Sequence, residues 1–269
     1  MNGHNYFNGL YYEVKGTGEP IVFLHGIGGS HSMFQPQVRH LANLYKIITI
    51  DLKGNGKSTS VKTLNYLTVH MDSILGLMAH LNIGQAHFVG LSYGGIVTQY
   101  FAIQHPEKVK KMILIDTYAH TFPKSYDEFK LLLLAASLLM VSWVPKKILK
   151  KYLSRFSPYK NWDLAQRELL HIIETFRPKD VSKQLIEVFN INFLSDLNRL
   201  EIPVLIMVGD KLKTVMRKSK EIADHLENSD LFVVKDSFDP ANLCQPEIVN
   251  YEILRFLKEK ALVNASIVH

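Results

Sequence analysis

Six short apolar runs, Ile21–Leu24, Ile47–Ile50, His87–Val89, Met112–Ile115, Val204–Val208 and Leu231–Val234, constrain this chain more than any other feature. Each is too brief for a helix and reads as a strand buried on both faces. Helical patterns near Met33–Leu44, Val69–Leu81 and Tyr93–His105 separate the first four, and a last helix is predicted from Pro246 to Lys260. Such alternation implies the α/β class, a mostly parallel twisted sheet with helices on both faces. Asn8-Gly9, between aromatic residues, predicts a hairpin in front of it, because both turn positions must accept positive φ. From Ala119 to Asn198 the pattern is helical throughout. It therefore predicts a helical insertion over 119–198 into a core built from 1–118 and 199–269.

Composition narrows the classes further. With 269 residues, 47% apolar and 21% charged, the chain can bury a sizeable core and is not disordered. One cysteine, Cys244, allows no internal disulfide and points to a reducing compartment, the cytoplasm. Met1-Asn2-Gly3-His4-Asn5 has no basic region leading into an apolar stretch, so no signal peptide is read. The most apolar run, Leu131 to Val144, spans about 14 residues. A bilayer needs about 20, so a buried or interfacial helix is expected. Net charge is +6, densest at Lys146, Lys147, Lys150, Lys151 and Arg155 around Ile148, Leu149 and Tyr152. That patch reads as a solvated helix face, with contact to a membrane surface or an acidic partner as the sharper alternative. No nucleic-acid motif accompanies it. No ligand cluster has metal-binding spacing, and no organic cofactor is implied.

The chemistry centres on Gly90-Leu91-Ser92-Tyr93-Gly94, which follows a short apolar strand and opens a helix. A turn this tight needs small residues two positions either side of the serine, and it lifts the hydroxyl above the sheet. The following helix aims its N-terminal amides at the same point. His25-Gly26-Ile27-Gly28-Gly29 ends the Ile21–Leu24 strand, where small residues let backbone approach a substrate oxygen. The amides of Ile27 and Tyr93 would form an oxyanion hole, with His25 bracing the loop. Gly54-Asn55-Gly56-Lys57-Ser58-Thr59 looks like half of a phosphate loop, but Asp51 stands where its first glycine is required, so nucleotide binding is set aside.

Together the glycine-rich His25 loop and the serine elbow resemble the α/β-hydrolase superfamily, in its esterase, lipase and lactonase-like branch. The resemblance runs from Tyr11 to Leu257. Asp51–Ser58 resembles that family's next loop, Gln245-Pro246-Glu247 its last helix start, and the insertion its cap. It implies a catalytic acid three residues after Gly209, where this chain has Leu212. It also implies a histidine six residues ahead of Gln245-Pro246, where Asp239 stands, preceded by Phe238. Serine is a weak nucleophile without a base of suitable pKa, and losing the histidine of such a triad costs about a millionfold in turnover.

Asp210, His31 and His120 are candidate substitutes near the cleft. Asp239 itself, if desolvated beside Phe238, would gain basicity and could pull a proton from carbon, by natural change or by design. Three readings remain open. One is a weakened or altered hydrolase of ester-type compounds with Ser92 as nucleophile. Another is a general-base catalyst built on Asp239, with Ser92 and the oxyanion amides stabilising an anion. The last is a binding protein without turnover. Leu212, Phe238, His31, His120 and Trp143 are the pocket candidates. The apolar insertion implies a small-molecule partner with a hydrophobic part.

Overall fold

The computed structural model describes residues 5–130, 133 and 144–259. One sheet holds eight strands: β1 (Tyr6–Phe7), β2 (Leu10–Lys15), β3 (Pro20–Leu24), β4 (Lys46–Asp51), β5 (Ala86–Leu91), β6 (Val109–Ile115), β7 (Val204–Gly209) and β8 (Ser229–Val234). Their order is β1-β2-β4-β3-β5-β6-β7-β8. The first two pairings are antiparallel and all later ones parallel. The α-helices described from end to end are α1 (Gln35–Leu41), α2 (Tyr66–His80), α3 (Tyr93–Gln104), α4 (Lys146–Phe156), α5 (Asp163–Thr175), α6 (Pro178–Val188), α7 (Leu194–Leu197), α8 (Lys213–Asp224), α9 (Ala241–Cys244) and α10 (Pro246–Lys258).

The α/β class read from the six apolar runs is what the chain adopts. Asn8 and Gly9 take φ of 46° and 74°, as a tight hairpin requires. Strand residues alternate between two cores. Val22, Leu24, Ile48, Ile50, Phe88, Leu114 and Ile206 pack on one face with residues of α2, α3 and α8. Ile21, Phe23, Ile47, Val89, Ile113, Leu205 and Met207 pack on the other with α1 and α10. Two buried faces explain why these strands read as continuous apolar runs. The runs understate strand length where polar residues find partners. Lys111 of β6, for example, is buried because its Nζ donates to the Phe256 carbonyl at 2.7 Å.

Between β6 and β7 the chain makes a long excursion that carries α4 to α7. Its base is pinched by a bridge between His120 and Asn192, with Phe193 N–H donating to Ala119 O at 2.8 Å. The basic patch lies on α4, and two of its lysines are already engaged. Lys150 pairs with Glu174, and Lys146 Nζ donates to Glu174 O at 2.8 Å and Phe176 O at 3.2 Å. Both tie α4 to the C-terminal end of α5, where free carbonyls attract cations. Most of the Leu131–Val144 run, Trp143 included, lies outside the described residues. Among those described, no helix is long and apolar enough to cross a membrane.

Packing at the β5–α3 turn leaves no room for side chains. A Cβ on Gly94 would lie 1.9 Å from Leu24 O, and one on Gly90 2.4 Å from Thr98 Oγ1. The Gly94 clash is with backbone of the central strand β3, which cannot swing aside. Gly94→Ala is therefore expected to cost about 3 kcal/mol or more, read as a fall in the urea midpoint.

Candidate active site

Ser92 sits in the turn from β5 to α3 with φ 50° and ψ −114°, a conformation that non-glycine residues adopt only when their surroundings enforce it. The enforcement is visible. Its N–H donates to Ile115 O at 2.8 Å, and its carbonyl accepts from Gly95 N–H at 2.9 Å and Thr117 Oγ1 at 2.8 Å. With the backbone so held, the side chain lines a hollow of about 330 Å³ walled by Ile27, Met33, Leu169, Ile172, Phe176 and Asp239, among others. A second hollow, of about 150 Å³, also has Ser92 and Asp239 on its wall, with Asp116, Tyr118, His120, Leu212 and Lys218.

Among the described residues, no protein group hydrogen-bonds the Ser92 hydroxyl, and no protein acceptor takes the N–H of Ile27 or Tyr93. Ile27 lines the same hollow as Ser92, and Tyr93 follows it directly in the chain. Gly26 is so close that its missing Cβ would lie 3.6 Å from Ser92 Cβ, and Tyr93 opens α3. Two free donors beside a free hydroxyl can receive a developing oxyanion.

His25 is buried behind this loop. Leu52 N–H donates to its Nε2 at 2.9 Å, so Nδ1 carries the proton and donates to Gly26 O at 2.7 Å. Burial lowers its pKa, and the ring is a neutral brace. His70 lies behind the elbow, its Nε2 3.2 Å from Tyr93 Oη, and burial takes its pKa down to about 3. His31 is a correction to the pocket expected from sequence. Its N–H and Nδ1 both meet Asp51 Oδ1, at 2.6 and 2.7 Å, and Nε2 lies 3.4 Å from Glu13, so it walls neither hollow. His120 does wall the second hollow, with Nε2 committed to Glu221.

Leu212 caps the start of α8 and lines the second hollow, placing hydrocarbon there. Asp210 turns away from the cleft. Its Oδ1 accepts Ser237 N–H at 3.0 Å, and that bond holds the carboxyl below the usual range. Phe238 is a second correction. It walls neither hollow and packs edge-on against Tyr159, centroids 5.6 Å apart, while Tyr159 Oη donates to Asp239 O at 2.5 Å. Tyr159, together with Phe176, supplies the aromatic wall of the main hollow.

Sequence reasoning passed over Asp116. It follows β6 at φ 47°, buried, with Oδ1 accepting Gly209 N–H at 2.9 Å and Oδ2 accepting Ala241 N–H at 2.6 Å. Burial nevertheless raises its pKa to about 6, because two amide bonds do not replace full hydration. Asp239 is its neighbour. Burial, and then the Asp116 charge, push the Asp239 carboxyl well above the ordinary value. The signal was available, since in open parallel sheets polar residues just past strand C-termini face the site. Glu168 of α5, on the wall of the main hollow, was also missed.

A nucleophile-type elbow at the C-terminal edge of a parallel sheet, with free amides beside it, defines a hydrolase-like α/β architecture. A family model described as the alpha/beta hydrolase fold matches residues 19–243, and the chain belongs to that family. A Caulobacter sp. (strain K31) protein named "Putative carbamate hydrolase RutD" is 26% identical, covering 94% of this chain and 97% of that one. An Acinetobacter baylyi protein named "(E)-2-((N-methylformamido)methylene)succinate hydrolase" is 29% identical over 39% of this chain and 40% of its own. Among solved structures, the enol-lactonase from Burkholderia xenovorans LB400 superposes with a TM-score of 0.80 at 18% identity, over 93% of this chain and 96% of that one. A thermophilic esterase from Thermogutta terrifontis gives 0.78 at 24%, over 92% of each.

The raised carboxyl makes a stability prediction. Asp239 is more basic folded than unfolded, so the native state holds its proton longer and stability is lost as pH rises past the ordinary carboxylate value. Asp239→Asn removes that loss. Relative to the parent, the variant should be near neutral at pH 4 and more stable by about 1 kcal/mol or more at pH 8, measured by urea unfolding at both pH values.

Proposed function

We propose that this chain is an acyl hydrolase of small, partly apolar ester-type compounds in which a carboxylate, Asp239, stands in for the usual imidazole. The observation that carries the reading is that Ser92 and Asp239 wall the same hollow, while no histidine hydrogen-bonds the serine among the described residues. The stretch 119–198 is read as a cap whose α5 and α6 cover the hollow with Leu169, Ile172 and Val181. A single buried cysteine, Cys244, suits a reducing cytoplasm.

In this reading Ser92 Oγ bonds to the acyl carbon while Asp239 accepts the hydroxyl proton. The carbonyl electron pair moves onto oxygen, facing the amides of Ile27 and Tyr93. Collapse breaks the bond to the leaving group, which takes the proton back from Asp239. Water then repeats the sequence against the acyl-serine. An ordinary carboxylate is a poor acceptor of a hydroxyl proton, and desolvation beside Asp116 narrows that gap without closing it. Slow turnover follows.

One observation favours a second reading, with Asp239 acting directly on a proton of the substrate. Ser92 and Asp239 make no hydrogen bond to each other. Ser92 would then donate to the developing anion, and no acyl-enzyme would form.

A fluorophosphonate probe separates the two. Labelling of Ser92 that Ser92→Ala abolishes is expected for the acyl hydrolase, and a folded protein that resists the probe would leave only the second reading or simple binding. Asp116 gives a further test. A histidine side chain at 239 would find an anionic partner there, so Asp239→His alone should raise esterase kcat/KM by about 10²–10⁴-fold. Adding Asp116→Asn should return most of the gain. No gain from Asp239→His in a folded protein would show that residue 239 does not act on Ser92.

A further inference from the structure

The main hollow carries an unexpected pattern of charge. Glu168 lies on the same face of α5 as Ala165, Leu169 and Ile172, in the middle of an apolar stripe at helical spacing. Glu168 and Asp239 are the charged groups on the described walls, and no lysine, arginine or histidine is among them. In the adjoining hollow the one described cation, Lys218, lies 3.4 Å from Glu128 and donates to His120 O at 3.3 Å.

Glu168 is half used. Its Oε1 accepts from Ser32 Oγ at 2.7 Å, and its other oxygen has no hydrogen-bond donor among the described residues. A carboxylate in an apolar stripe loses hydration, and one hydroxyl bond does not restore it. A bound donor would, and low-polarity walls make the sign of a ligand's charge count for more.

We infer that Glu168 is a specificity-determining residue, drawing an ammonium or other N–H-bearing group of an apolar ligand into the main hollow and excluding carboxylates. The substrate class becomes amino-bearing acyl compounds, such as aminoalkyl esters. This rests on the main hollow being the substrate site, as in the proposed function, but its test reads binding alone. An inert Ser92 would therefore sink the hydrolase reading and leave this one standing.

The test is calorimetric titration of the whole chain with n-hexylammonium, 1-hexanol and hexanoate, which share a tail and differ in charge. Hexylammonium should bind about tenfold or more tightly than hexanoate, with hexanol between them. Glu168→Gln, which keeps an acceptor for Ser32, should bring the ammonium-to-hexanol ratio close to one. Ser32→Ala removes the link between α5 and the Ser30–Phe34 segment but keeps the charge, and should preserve the ratio. Ratios within one variant cancel a general loss of folding. Equal binding of hexanoate, an unchanged ratio in Glu168→Gln, loss of the ratio in Ser32→Ala, or no binding of any of the three at millimolar concentration would each overturn the inference.

Discussion

Everything in the site hangs from the turn at Ser92. The positive φ there puts the Ser92 peptide within reach of β6, whose Ile115 carbonyl receives its N–H, and of Thr117, whose hydroxyl supports its carbonyl. Glycines at 90 and 94 are the condition for that closeness, because α3 begins against the backbone of β3 with no space for a methyl group. The same closeness delivers the Tyr93 amide and Gly26 to the serine. Distortion at one residue is stabilised by bonds from β6, from the loop just past it and from the first turn of α3, and the hydroxyl stands clear of every protein partner described.

The carboxylates are placed by the same edge of the sheet. Asp116 follows β6, and the loop after β8 brings Asp239 beside it, with Ala241 N–H donating to Asp116 Oδ2. That bond and the one from Gly209 fix Asp116 whatever stands at 239. Tyr159 then fastens the Asp239 carbonyl from the excursion side. Residue 239 is thus held through backbone on both sides, and Asp239 lines the wall that both hollows share.

Much of this was legible beforehand. Strand alternation, the Asn8-Gly9 hairpin and the elbow depend on local spacing, and the chain carries those signals undiluted. Asp116 was hidden because an acid after β6 has no motif of its own; only the pairing of β5 with β6 brings it near Ser92. Glu168 was hidden for a similar reason, since a lone carboxylate in an amphipathic helix reads as solvated until the helix is seen to cover a hollow. His31 and Phe238 misled through sequence proximity to the cleft. Their side chains found nearer partners, Asp51 and Tyr159, before any cavity could use them.

In the proposed function, the pairing of Asp116 with residue 239 has a consequence that does not depend on which base is present. Beside an imidazole, a fixed anion stabilises the protonated, positive form and so raises the ring's proton affinity. Beside a carboxylate, the same anion destabilises the ionised, negative form and again raises proton affinity. The sign of the effect is unchanged because the base gains one positive charge in either case. A histidine would start neutral and finish attracted to Asp116; Asp239 starts repelled and finishes neutral. What differs is the starting affinity, which lies lower for a carboxyl by more than two units. In the proposed function, an aspartate in place of a histidine at 239 therefore lowers the proton affinity of the base while keeping Asp116 beside it.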